Sequence, residues 1–223
     1  MHVCLVNYTP DPLMTIEKAA SQCYQSEPNP KGRITRACYL SGHHSVLEHV
    51  SFTFEVDGVS RALLAQLTRH RLASFSVKSQ RYVDEGNFEY VIPLAANQKG
   101  GLGDYCLLMH EVRDLYRRLR DEYGWDAEDA RMILPNACCT TLTVTMNLRE
   151  LVHFCNERMC NRAQWEIREL AYKMAKAVNE ATNNAFSYML VPHCEKIPDF
   201  PFCPEGTKCC GKHKTLKEVY HVG

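Results

Sequence analysis

The chain has no excess of either charge, no long apolar run, and no internal repeat or low-complexity segment. Its 26 basic residues are matched by 26 acidic ones. No bulk field therefore draws it to nucleic acid or to an anionic membrane surface, and any anion site has to be local. No stretch approaches the roughly 20 consecutive apolar residues that span a bilayer, and Met1-His-Val-Cys-Leu-Val-Asn-Tyr lacks the apolar core of a signal peptide. These absences imply a cytoplasmic protein with neither a nucleic-acid nor a membrane partner. Among 12 cysteines no pair has the C-x2-C spacing of a standard zinc knuckle.

The 223 residues suffice for one domain, or one domain with an appendage. Cys4, Cys38, Cys106, Cys138, Cys139 and Cys155 sit inside apolar patterns, which predicts free, buried thiols in a reducing compartment. Residues 2–7 predict a strand and 12–25 a helix with Leu13, Ile16, Ala19, Ala20 and Cys23 on one face. A short helix follows at 34–40. Ser45 and Glu48 have the spacing of a capping box. Residues 50–56 alternate apolar and polar as a half-buried strand that Gly58 is expected to end. Ala62, Leu63, Leu64 and Leu67 then form an apolar helix face carrying Arg69, His70 and Arg71 at its end.

Farther on, residues 76–83 and 91–93 read as extended, 97–103 as a loop, and 107–123 and 126–131 as helices. Residues 141–146 alternate cleanly and are rich in β-branched side chains, a strand. Asn147 and Glu150 fit a second capping box opening a helix toward Arg158, and Ile167, Leu170, Ala171, Met174 and Val178 trace a long helix ending near residue 183. The irregular interleaving predicts an α+β fold with a mostly antiparallel sheet flanked by helices. Residues 1–190 are expected to form the body and 191–223 a cysteine-rich tail.

The stretch from Gln66 to Tyr82 crowds cations and hydroxyls behind an apolar helix, without the acidic neighbours in sequence that a surface salt-bridge network needs. It reads as an anion-binding device for a phosphate-bearing ligand. Arg69-His70-Arg71, seven residues and then Ser79-Gln80-Arg81-Tyr82 resemble the signature of the flavin-dependent thymidylate synthases. Further segments similar to that family follow its order: residues 43–49 with the strand Phe52-Thr-Phe54, Ala130-Arg131-Met-Ile-Leu-Pro135, Asn147-Leu-Arg149, and Asn161-Arg-Ala-Gln164-Trp-Glu166-Ile167-Arg168.

The resemblance implies reductive methylation of dUMP to dTMP. Methylenetetrahydrofolate donates the carbon, FAD reduced by NADPH carries the hydride, and a homotetramer shares its active sites between subunits. Carried over residue by residue, it implies that His43, Ser45, Glu48, Arg69, His70, Arg71, Asn147, Arg149 and His153 bind FAD. It assigns Gln66, Ser79, Gln80, Arg81, Arg131 and Arg158 to dUMP. Arg158 is the expected electrostatic catalyst beside the uracil carbonyl, where a fixed cation stabilises developing charge. The chain departs from some members at Ser76-Val77, where they carry Asn-Glu, at Arg162, where they carry His, and at His153, where they carry Asn.

No cysteine has an adjacent base that marks it as a nucleophile, and the Pro-Cys pair by which classical thymidylate synthases methylate the same substrate is absent. Trp165 and Ile167 read as core, with Gln164 and Glu166 stabilising the helix junction. Arg158 and Arg162 would repel on one continuous helix. The tail gathers Cys194, Cys203, Cys209, Cys210 and His213 within about twenty residues. They form a conceivable zinc site, a packed cysteine-rich tail or a reversibly oxidised one. A zinc-stabilised RNA-binding module is the rival outside enzymology, but it calls for net positive charge and interleaved aromatics, which are missing.

Overall fold

The computed structural model describes residues 1–220, so the last three residues of the expected tail lie outside it. Its elements are β1 (His2–Tyr8), α1 (Pro12–Tyr24), α2 (Arg33–Leu40), β2 (Ser51–Ser60), α3 (Arg61–Leu67), β3 (Ala73–Val77), α4 (Leu94–Lys99), α5 (Leu102–Asp121), α6 (Ala127–Ala130), β4 (Cys139–Asn147), α7 (Leu148–Arg158), α8 (Trp165–Ala181) and α9 (Leu216–Tyr220), with 3-10 turns at His44–His49, Arg131–Ile133, His193–Glu195 and Gly206–Lys208. The strands form one four-stranded antiparallel sheet of order β1-β2-β4-β3. The α+β expectation holds. Register is visible in cross-strand pairs: the hydroxyls of Thr53 and Thr145 meet at 2.9 Å, and Thr141 donates to the Asp57 carboxylate. Such pairs lock β2 against β4, because a slip of one residue would turn Phe52, Phe54 and Val56 outward.

The chain divides into two compact units, one of residues 1–2, 56–69 and 75–143, the other of residues 3–55, 70–74 and 144 onward. In the first, Phe88, Met109 and Cys138 pack with Tyr90 and Tyr105, and Tyr116, Leu119 and Ala130 pack with Ile133 and Leu134. In the second, Ile16, Leu47, Phe52, Phe54, Leu148, Phe154, Ile167, Leu170 and Phe186 are fully buried. There the buried Glu17 carboxylate accepts from Asn29 N, Thr35 N and the Thr35 hydroxyl, which ties α1 to the start of α2.

Several local expectations need correction. Gly58 does not end β2; it adopts φ +68° within an unbroken strand that runs on to Ser60, as at a bulge. α3 starts there because the Ser60 side chain accepts from Leu63 N at 3.0 Å, and it stops one residue before Thr68, whose hydroxyl turns back onto Leu64 O at 3.0 Å. Arg69 therefore lies beyond the helix. Residues 44–49 carry no side-chain cap, so Ser45 and Glu48 do not form the expected box. α4 takes the first three residues of the expected loop at 97–103 and α5 begins at its last two, and 91–93 contributes no strand. None of the 12 cysteines is joined in a disulfide, and of the six expected to be buried Cys4 is exposed and Cys106 and Cys139 are half-buried.

Candidate functional site

In the second unit, the start of α7 brings a histidine and a carboxylate together. Asn147 Oδ1 accepts from Glu150 N at 2.8 Å, the expected first half of a capping box. The reciprocal half is not made. The Glu150 carboxylate instead reaches His70 Nδ1 at 3.0 Å. Arg158, at the last turn of α7, donates its Nε–H to His70 Nε2 at 3.0 Å. Because Nε2 accepts, the ring proton sits on Nδ1 and is donated to Glu150. The result is a directed chain, Arg158 to His70 to Glu150, with His70 5% and Glu150 4% exposed. It engages the Arg158 Nε and leaves the two terminal nitrogens without a role in the chain. His70 is further held by the edge of Phe154 at 5.0 Å and by the exposed His153 ring at 5.5 Å between centroids.

Burial, then the Arg158 charge, then His153, lower the His70 pKa to about 4, so the ring is neutral near pH 7 and the contact with Glu150 is a hydrogen bond between a neutral donor and a carboxylate. Unfolded, the ring titrates near 6.5; between there and about 4 the unfolded chain holds a proton that the folded one lacks, so stability falls as pH drops through that window. The loss from this group is on the order of 2–3 kcal/mol. Burial raises the Glu150 pKa, which acts in the opposite sense. Comparing wild type with His70→Gln in urea between pH 7 and pH 4 is expected to show wild type losing ground steadily. A stability difference independent of pH would contradict the buried neutral histidine.

His43 and Ser45 are exposed beside the 44–49 turn. Glu48 and Arg149 form an ion pair with each other. Arg71 is exposed, and among the described residues no carboxylate pairs with it. Cysteine and histidine geometry separates two clusters. His70, Glu150 and His153 have donor atoms within 4.8 Å of one another, but both His70 nitrogens are already engaged, so that set is a hydrogen-bond chain rather than a metal centre. In the tail, Cys194, Glu195 and His213 are gathered in the same way.

In the first unit lie Gln66, Arg69, Ser79, Gln80, Arg81 and Arg131. The Gln66 amide contacts Ala62 O at 3.5 Å. Ser79 Oγ accepts from Arg81 N at 3.3 Å, forming a hydroxyl turn. Arg81 Nε donates to the Glu128 carboxylate at 2.7 Å, and Arg131 Nε donates to Glu128 O at 3.2 Å. Arg81, which the sequence read as lacking a partner, thus has an acidic one 47 residues away, and Arg149 pairs with Glu48. Arg69 and Arg71 have none among the described residues. Gln80 is 7% exposed and its amide points at Cys138 Sγ, 3.6 Å away. Farther along, the chain between Arg158 and Arg162 leaves the helix, which removes the expected repulsion, and Gln164 Oε1 caps α8 by accepting from Glu166 N and Ile167 N.

The predicted residues therefore sort by unit. Those expected at the flavin lie in the second, apart from Arg69; those expected at the nucleotide lie in the first, apart from Arg158. Two residues were missed by sequence reasoning, Glu150 and Glu128. Glu150 carried a signal, a carboxylate inside the apolar stripe of α7; Glu128 carried none, because its partner is 47 residues away in sequence.

The model of the family described as thymidylate synthase complementing protein matches residues 4–182. A flavin-dependent thymidylate synthase of Geobacter sulfurreducens is 42% identical over 236 residues, covering 99% of this chain and 98% of its own. One from Nitratidesulfovibrio vulgaris is 40% identical, covering 94% of each. The crystal structure of the flavin-dependent thymidylate synthase of Helicobacter pylori, complexed with FAD and dUMP, is similar with a TM-score of 0.69 at 28% identity, covering 84% of this chain and 99% of that one.

Proposed function

The chain belongs to the flavin-dependent thymidylate synthases, enzymes of dTMP synthesis, and from that premise we propose that it methylates dUMP reductively. It takes the carbon from 5,10-methylenetetrahydrofolate and uses FAD, with NADPH as the reductant. The observation that carries this reading is the family match, which spans every residue assigned below.

The donor set fits a flavin dinucleotide. Arg69 and Arg71 are exposed cations with no carboxylate among the described residues to neutralise them, suited to a pyrophosphate that accepts paired N–H bonds. His43, Ser45, Asn147 and His153 add neutral polar groups, and the Glu48–Arg149 pair is exposed enough to be exchanged for a ligand contact at small cost. His70 belongs to the flavin-side set through the chain it completes. FAD, once reduced, supplies the hydride.

For dUMP, the Ser79 hydroxyl, Arg81, Arg131 and the Gln66 amide are donors for the phosphate and sugar. Arg81 would exchange an exposed carboxylate for a phosphate. Gln80 acts from the interior, holding the 79–81 turn against Cys138. Arg158 would meet the uracil carbonyl through its terminal nitrogens. Its Nε is held by a neutral imidazole rather than by a carboxylate, so its full charge is retained for the oxygen on which negative charge develops. His70 and Glu150 position it.

The same reading makes the enzyme a homotetramer with shared active sites and places it in the cytoplasm. No described helix is long and apolar enough to cross a membrane. Leu72, Tyr82 and Met132 are 70–81% exposed, large apolar side chains of the kind a subunit interface covers. The purified protein is expected to be yellow, with an FAD absorption that NADPH bleaches without oxygen. A colourless protein that neither takes up added FAD nor oxidises NADPH would rule the assignment out.

A further inference from the structure

The family match ends at residue 182, and the segment after it has an unusual construction. From residue 191 to 220 it contains two 3-10 turns and the five-residue α9, and only Pro192 and Cys203 are buried. So little buried surface does not hold about thirty residues in one conformation, and segments of this kind are fastened by disulfides or a metal. Its thiols are all free.

Two closures bring the candidate ligands together. Phe202 N donates to Cys194 O at 3.0 Å, and Cys203 N donates to Lys214 O at 2.8 Å. Within the resulting loops, Cys194 Sγ and a His213 ring nitrogen come within 4.8 Å, and Cys203, Cys209 and His213 line one cavity. Cys209 Sγ accepts from Gly211 N at 3.3 Å and donates to His213 O at 3.2 Å. His213 Nε2 lies 3.1 Å from Glu195 Oε1, which leaves Nδ1 as the free ring nitrogen. A carboxylate orienting a histidine from its far side is the usual second partner of a metal-bound imidazole. A disulfide would need no such histidine.

We propose that Cys194, Cys203, Cys209 and His213 bind one zinc-type divalent cation as a structural Cys3His site that fastens the tail. Glu195 orients the imidazole and is itself held by Lys212. Cys210 is left out, since its exposed thiol accepts from Asn161 Nδ2 at 3.5 Å. On binding, the three thiols release their protons to solvent, and three thiolates with one neutral imidazole complete the tetrahedron.

The test is the metal content of the full chain purified under reducing conditions, followed by cobalt titration of chelator-treated protein. About one zinc per chain is expected, with thiolate-to-cobalt charge transfer and the intense visible bands of a tetrahedral ion after substitution. Cys203→Ser and His213→Ala should each reduce bound zinc at least several-fold, whereas Cys210→Ser should retain it. Since Cys203→Ser could loosen the tail for other reasons, the wild-type cobalt spectrum decides independently. The proposal is overturned if reduced wild type holds no zinc and takes up no cobalt, if metal persists in Cys203→Ser/Cys209→Ser, or if mass spectrometry finds these cysteines joined in a disulfide in the native protein.

Discussion

Arg158→Ala is expected to keep its flavin and lose turnover with dUMP by about 10²–10³-fold, the cost of removing one preorganised donor from developing negative charge. The fall should appear in kcat, because the guanidinium is assigned to charge that builds only as the ring is activated. The FAD spectrum of the variant should match that of wild type. Arg158→Lys tests the geometry. A lysine keeps the charge but cannot both donate to His70 Nε2 as the Arg158 Nε does and present a second, fixed pair of donors to the substrate, so it should recover only part of the rate. Full turnover by Arg158→Ala would refute the assignment.

The second large effect is on the flavin. Arg71→Ala should weaken FAD binding by about 10–100-fold, which corresponds to a charge-assisted hydrogen bond worth roughly 1.5–3 kcal/mol. Titration of apoprotein followed by flavin fluorescence would measure it. Arg71 is exposed and no carboxylate pairs with it among the described residues, so the substitution leaves no buried charge behind and stability should move by no more than about 0.5 kcal/mol. An unchanged affinity for FAD would remove Arg71 from the flavin set. The contrast between the two arginines is the point: one variant is pale and the other yellow but slow.

Elements with strong local signals were legible in the sequence. The β4 alternation at 141–146, the Asn147 cap of α7 and the apolar face of α8 all depend on neighbours within a few residues, and each was found. Gly58 misled because a glycine that breaks a strand and one that bends it look the same in sequence; only the pairing of β2 with β4 decides. Ser45 and Glu48 misled for a related reason, since cap spacing says nothing of a tertiary competitor, and Arg149 claims the carboxylate. At the site, arginines and hydroxyls were readable as anion-binding chemistry, and the family blocks named their roles. The Arg158–His70–Glu150 chain was not, because its links join residues 80 and 88 apart. A carboxylate inside the apolar stripe of α7 hints that Glu150 is engaged, but nothing local names His70 as its partner.

The product the enzyme makes tests its assignment most directly. With dUMP, 5,10-methylenetetrahydrofolate, FAD and NADPH present together, chromatography with mass detection should show dTMP accumulating. Omitting any one of the four from flavin-stripped enzyme should abolish it. Formation of dTMP that does not require the flavin, or no dTMP from a protein that has bound both FAD and dUMP, would contradict it.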